Sequence, residues 1–276
     1  MMPDSYQPGN IIYTDKHSLK TTDGVTTAII AGHPTQWGYK DADGKNSRFG
    51  LITGFIGITA KVLIAVDHWN HCLRRIHRDT GISTTFSGMC TSSGYQDGTQ
   101  GKFHNPISIF RDNQSRNQLL VTDEYNKAIR TVSVSDGSVG TLMKSNIVKR
   151  TRYLTQNTAG DIFVTTPFSV YRISYTEKSI TLIAGSNITL GYRDSSLLNS
   201  LFLYPTGMIF IQTNKLLIAD ERNDKLRILD LDKHKVKTLK ICNGCVSLYR
   251  PISIKITNDS LYVGQYKNIL RFKCKF

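Results

Sequence analysis

The chain has 276 residues, 39% of them hydrophobic and 20% charged, an ordinary globular balance with enough apolar surface to build a core. No run approaches the roughly 18 uncharged apolar residues that a membrane-spanning helix needs, and Met1-Met2-Pro3-Asp4-Ser5-Tyr6 has no basic region followed by an apolar stretch, so no secretory signal is visible. The net charge of +14 either favours anionic partners through long-range attraction or only keeps a β-rich surface soluble. In chain order, residues 10–32 read as the last three strands of a four-stranded unit. Complete units follow at about 47–88, 103–145, 148–186 and 202–242, and residues 249–276 read as the first three strands of another. The apolar runs are short and bounded by Gly, Asn and Asp, the pattern of strands and turns. The expected fold is all-β: a β-propeller of about six four-stranded blades in one domain over 1–276. About 22 strands are counted where a closed ring wants about 24, so irregular closure between the termini is expected.

The units share a motif. Asp67-His68-Trp69-Asn70-His71-Cys72-Leu73-Arg74, Asp123-Glu124-Tyr125-Asn126-Lys127-Ala128-Ile129-Arg130 and Asp220-Glu221-Arg222-Asn223-Asp224-Lys225-Leu226-Arg227 superpose without gaps, each after an apolar run. Val170-Tyr171-Arg172-Ile173 and Ile269-Leu270-Arg271-Phe272 keep only the back half. Upstream, Gly38-Tyr39-Lys40-Asp41, Gly94-Tyr95-Gln96-Asp97 and Gly191-Tyr192-Arg193-Asp194 recur, followed by Phe49, Phe103 and Phe202. The Asp-x-x-Asn segment reads as the turn between the second and third strands, where short side chains hydrogen-bond the turn's own backbone and tolerate left-handed geometry. A residue present in most blades serves the blade, so Asp67, Asn70, Arg74, Asp123, Asn126, Arg130, Asp220, Asn223 and Arg227 read as structural.

An apolar strand, Asp-x-x-Asn-x-x-[Ile/Leu]-Arg, a hairpin and a closing Ala-Gly resemble the blades of the NHL-repeat family, over about residues 10–276. The Gly-Tyr-x-Asp loop followed by Phe-x-x-Pro is similar to NHL domains of extracellular and receptor-type proteins. It is usually lacking in the RNA-binding NHL domains of tripartite-motif proteins. The resemblance implies a propeller that binds a protein or an anionic glycan in an extracellular or receptor-ectodomain setting, without a cofactor. An RNA-binding propeller with a basic face and a metal-dependent lyase or lactonase are the alternatives.

Cys72 and Cys90 fall opposite each other when their hairpin is folded, so they read as a disulfide or as two buried thiols. Cys242-Asn243-Gly244-Cys245 lacks the following helix of a redox site and the second ligand pair of a zinc site, and pairing of one of them with Cys274 is the more plausible arrangement. Asn113, Asn187 and Asn258 begin glycosylation sequons in expected loops. With the cysteines, they tilt the reading to an oxidising compartment.

No catalytic constellation is found. The seven histidines occupy no two equivalent innermost-strand positions, so no metal site is expected, and each reads as a surface or loop residue. There is no Gly-x-Ser-x-Gly elbow and no phosphate-binding Gly-rich loop. Binding is expected where the repeat varies. Trp69, Tyr125 and Arg222, inside Asp-x-x-Asn, are expected to be exposed and to share a face. Tyr39, Tyr95 and Tyr192, beside Trp37 and Arg193, either join a recognition surface or pack under their own loops.

Overall fold

The computed structural model describes residues 1–4, 7, 9–241, 247–257 and 259–273. Cys242, Cys245, Cys274 and Asn258 lie outside them. The described chain is all-β, with only short 3-10 turns besides its strands, and its sheets are the blades of a β-propeller. By its internal contacts it divides into two compact units, Met1–Lys149 and Arg150–Phe276.

The first unit holds three antiparallel sheets. They are β1 (Met2–Pro3), β2 (Ile11–Asp15), β3 (Ser18–Thr22) and β4 (Thr27–Gly32); then β5 (Ile52–Gly57), β6 (Val62–Asp67), β7 (Cys72–His77) and β8 (Ser83–Ser87); then β9 (Pro106–Arg111), β10 (Gln118–Asp123), β11 (Ala128–Ser133) and β12 (Val139–Lys144). The second unit begins with β13 (Tyr153–Gln156), β14 (Ile162–Thr165), β15 (Ser169–Ile173) and β16 (Ile180–Gly185). Its next sheet runs from β17 (Ser195–Ser196) through β18 (Pro205–Gln212), β19 (Lys215–Asp220) and β20 (Lys225–Asp230) to β21 (Lys235–Thr238). Its last has three described strands, β22 (Pro251–Ile256), β23 (Ser260–Gln265) and β24 (Ile269–Lys273). Each sheet pairs strands in sequence order, except that β17 leaves the loop before β18 and pairs with the outer strand β21. The strand count from sequence missed β1, which completes the first blade through Met2↔Ile12 and Pro3↔Ile11.

Alternation along the second strand of a blade explains its unbroken apolar run. In β6, Leu63 and Ala65 face the cluster shared with Ile12, Leu19 and Ala31 of the first blade, while Ile64 and Val66 face Leu119, Val121 and Ile109 of the third. In β19, Leu216 and Ile218 pack with Phe163 and Val170, whereas Leu217 and Ala219 pack with Ile254, Leu261 and Val263. A strand buried on both faces has no polar side to show. Phe49, Phe103 and Phe202 are fully buried at the entry to their blades, each contributing about 1.5–3 kcal/mol by removal from water.

Candidate functional site

The repeated polar residues build a clamp. In the second blade, Asp67 accepts the Gly50 N–H at 2.8 Å on one oxygen, and Asn70 Nδ2 at 2.8 Å and Arg74 Nη1 at 3.1 Å on the other. The same Asn70 amide donates to the Gly38 carbonyl at 2.7 Å. Arg74 Nη2 donates to Asp41 at 2.5 Å, and its guanidinium lies 4.9 Å from the Tyr39 ring and 4.8 Å from the Phe49 ring. The third blade repeats this with Asp123, Asn126, Arg130, Gly94 and Asp97, and the fifth with Asp220, Asn223, Arg227, Gly191 and Asp194. All three arginines are completely buried.

The clamp straps the preceding loop across the open edge of its blade. Ala42 O accepts the Ser83 N–H at 2.7 Å and Asp41 accepts the Thr85 N–H at 3.1 Å, so β8 presents fewer unpaired donors to another chain. Two expectations are corrected here. Asp and Asn side chains reach the loop and the Arg rather than their own turn's backbone, because the buried guanidinium must be neutralised there. The left-handed residues are His71 (φ 59°), Lys127 (φ 54°) and Asp224 (φ 55°), one place after each Asn. Burial pushes the carboxyls of Asp67, Asp123 and Asp220 upward, opposed by the Asn, Arg and backbone donors.

Tyr39, Tyr95 and Tyr192 belong to this clamp. Their hydroxyls meet Thr85, Thr141 and Thr238 at 2.8, 2.9 and 2.9 Å, and one ring face covers Arg74, Arg130 or Arg227. They remain partly exposed, as does Arg193. Cys72 and Cys90 are disulfide-bonded with Cα atoms 5.0 Å apart, and Cys90 Sγ lies 3.3 Å from Thr85 Oγ1, which ties the same edge covalently.

The variable positions carry exposed rings in the first unit. Trp69 is 48% exposed and Tyr125 62%. Trp37, 69% exposed, meets Trp69 edge-on at 6.3 Å and so joins it rather than Tyr39. His104 stacks on Tyr125 at 4.9 Å, and His71 meets His104 at 5.5 Å. His68 Nδ1 donates to the Pro106 carbonyl at 2.9 Å, while its Nε2 accepts from the Asn105 amide at 3.1 Å. Burial lowers the His68 imidazole below its ordinary value; burial and then the neighbouring imidazoles His104 and His68 lower His71. His17 sits in the turn between β2 and β3, a loop position as expected, but is buried there beside Trp69, with ring centroids 5.9 Å apart, and its Nδ1 bonds the Gly50 carbonyl.

In the second unit Arg222 is exposed and its guanidinium lies 3.9 Å from the Tyr204 ring. Tyr266 stands where Trp69 stands, because Gly264 pairs with Ile269 as Asp67 pairs with Cys72. It escaped the sequence reading, since Gly264 and Lys267 replace the Asp and Asn that mark the turn. The alignment through Arg271 already placed it at the variable position, where it should have been counted with Trp69 and Tyr125. Among the described residues no three of His, Cys, Asp or Glu converge as metal ligands, and no helix is long and apolar enough to cross a membrane.

No family model and no curated protein matches the sequence. Solved structures do resemble the fold. An auxiliary nutrient binding protein from Bacteroides ovatus aligns with a TM-score of 0.71 and 13% identity, over 99% of this chain and 68% of that one. A chain of a nidogen/laminin complex gives 0.66 and 13%, over 96% and 89%. A Bacteroides thetaiotaomicron structural-genomics protein of unknown function gives 0.55 and 16%, over 95% and 83%. At these identities the likeness is one of fold, and the fold is the six-bladed β-propeller.

Proposed function

We propose that the chain is a non-enzymatic recognition module, an NHL-like propeller of the extracellular type that binds a protein or glycan ligand. The observation that carries this reading is the contrast within one turn. Asp67, Asn70 and Arg74 are locked in the clamp, while Trp69 between them is held out to solvent beside Trp37, and Tyr125 repeats the arrangement in the next blade. Rigid rings on a fixed scaffold cost little entropy to order and are favoured anchors at interfaces. The repeated carboxylates have hydrogen-bond partners on both oxygens, which leaves them poor candidates for proton transfer. The disulfide supports an oxidising compartment, and Asn113 and Asn187, both exposed, are offered as glycan acceptors in it. Among the proteins of like fold, one is called nutrient-binding and one comes from a nidogen/laminin complex, which agrees with a binding role.

The test is binding of the protein to sensor surfaces carrying purified extracellular glycoproteins, glycosaminoglycans and a structured RNA. A glycoprotein or glycan signal should weaken about tenfold or more in Trp69→Ala with Tyr125→Ala, at unchanged thermal stability. Binding to the RNA alone, with affinity falling steeply with salt, would overturn the reading. So would stoichiometric zinc or calcium by elemental analysis together with lyase or lactonase turnover.

A further inference from the structure

We infer that Arg152, Arg222 and Arg250, together with the cleft beside Tyr249 and Tyr266, form a subsite in the second unit for the carboxylate or sulfate of an acidic glycan. This rests on the recognition reading above and names a ligand class for a different part of the surface. Arg152, Tyr204 and Arg250 each stand immediately before the first strand of their blades, ahead of β13, β18 and β22. Glu221, buried, accepts Arg152 Nη2 at 3.4 Å and also holds Arg250. One carboxylate of the fifth blade therefore fixes two guanidiniums, one from the fourth blade and one from the sixth, and Tyr204 carries the third, Arg222, at 3.9 Å with Arg152 at 5.8 Å from the same ring. Asp224 accepts the Arg250 backbone N–H at 2.6 Å, and Lys267 stands next to Tyr266. Glu221 alone thus holds two guanidiniums while Arg222 rests on an aromatic ring, which leaves positive charge in excess in a preset geometry suited to an oxyanion.

The backbone points the same way. The position before the blade is left-handed at Asn105 (φ 56°), a residue that tolerates it, but also at Tyr204 (φ 56°) and Arg250 (φ 48°), which do not accept it readily.

The adjoining cleft selects a sugar. It is a half-open hollow of about 360 Å³, small for a ligand site, lined by Ser247, Tyr249, Gln265, Lys267, Asn268 and Leu270. Amides, a hydroxyl and an ammonium match sugar hydroxyls, and the exposed Tyr249 and Tyr266 rings offer flat faces to the pyranose. The Arg250 guanidinium lies 5.2 Å from the Tyr266 ring. The exposed lining is mostly apolar, which suits the C–H face of a pyranose laid on the tyrosine rings.

Calorimetry with the whole chain at low salt tests this, using a hyaluronan hexasaccharide, a heparin hexasaccharide, neutral chitohexaose and hexaglutamate as probes. One or both acidic sugars should bind more tightly than chitohexaose and hexaglutamate. Arg222→Ala and Lys267→Ala should each weaken that binding about tenfold, and Arg222→Lys by less, because the fork geometry is lost but the charge stays. Binding of hyaluronan assigns the carboxylate, and of heparin alone the sulfate. The subsite falls if neither acidic sugar binds, if hexaglutamate binds as tightly, or if Lys233→Ala, an exposed charge elsewhere in the unit, weakens binding equally. Trp69→Ala should leave this binding unchanged, so loss of the subsite and loss of the recognition surface are read separately.

Discussion

Arg130 is completely buried against Asp123, Nη1 to Oδ2 at 2.8 Å, and that carboxylate is shared with Asn126 at 2.8 Å and the His104 N–H at 2.7 Å. Removing Asp123 leaves a guanidinium in the interior with one exposed partner, Asp97, and backbone carbonyls. Asp123→Ala is expected to destabilise the protein by about 3–5 kcal/mol, the cost of stranding a buried charge. Urea denaturation followed by intrinsic fluorescence measures it. A loss under about 1 kcal/mol would mean that the clamp contributes order rather than stability.

How the clamp works was only half legible in the sequence. Asp, Asn and Arg recur at fixed spacing, so a shared structural duty could be read from Asp67, Asn70 and Arg74. What they grip could not, because Gly38 and Asp41 lie about 30 residues upstream and nothing local links them. The fourth blade shows the limit from the other side. There Thr165 replaces the Asp and donates to the Thr206 carbonyl at 3.2 Å, and Arg172 turns to Asp161 at 2.8 Å instead. The pattern showed that the motif's back half survives without its partners, but not where Arg172 turns instead. β1 and β17, of two residues each, are too short for any periodicity. The exposed Trp69 and Tyr125 were legible as breaks in the repeat, whereas the pairing of Trp37 with Trp69 and of His104 with Tyr125 depends on loop paths set by distant contacts.

The Cys72–Cys90 bridge closes a loop with a sequence separation of 18 residues. Constraining the unfolded chain over that length contributes about 3 kcal/mol. Peptide mapping without reductant should recover the two residues in one linked fragment. Reduction should then lower the urea midpoint by the corresponding amount. Recovery of both as free thiols would remove the main support for an oxidising compartment.

The imidazoles beside the exposed rings make stability depend on pH. His68 is held neutral: Nδ1 donates to Pro106 and Nε2 accepts from Asn105, so a second proton would face a donor inside a buried setting. His71 is likewise depressed, first by burial, and its Nδ1 accepts the Asn105 N–H at 3.2 Å. Below the ordinary value of 6.5 the unfolded chain takes up protons that the folded chain does not, so stability is expected to fall as pH drops from 7 towards 5. His68→Gln keeps a donor and an acceptor without titrating and should flatten part of that slope. An unchanged slope, measured by denaturation at both pH values, would show that His68 charges freely.

Each strapped blade turns away from a glycine whose conformation no other residue adopts cheaply. Gly185 ends β16 at φ 91°, and a Cβ there would stand 2.3 Å from the Phe168 carbonyl oxygen and 3.1 Å from the Phe202 ring. Gly32 is equally confined, with the His17 carbonyl oxygen at 2.2 Å and the Phe49 ring at 2.8 Å. Both clashes involve backbone, so relief requires the chain to move and the buried Phe to move with it. Gly185→Ala and Gly32→Ala are each expected to cost about 3 kcal/mol, from left-handed strain plus lost packing. Gly24→Ala gives the comparison, since φ is 99° there but nothing lies within 4 Å of the added carbon. It should show the strain without the collision, about 1–2 kcal/mol. Equal losses at Gly24 and Gly185 would mean that the close approach of backbone and Phe202 at the blade entry adds nothing to the requirement for glycine.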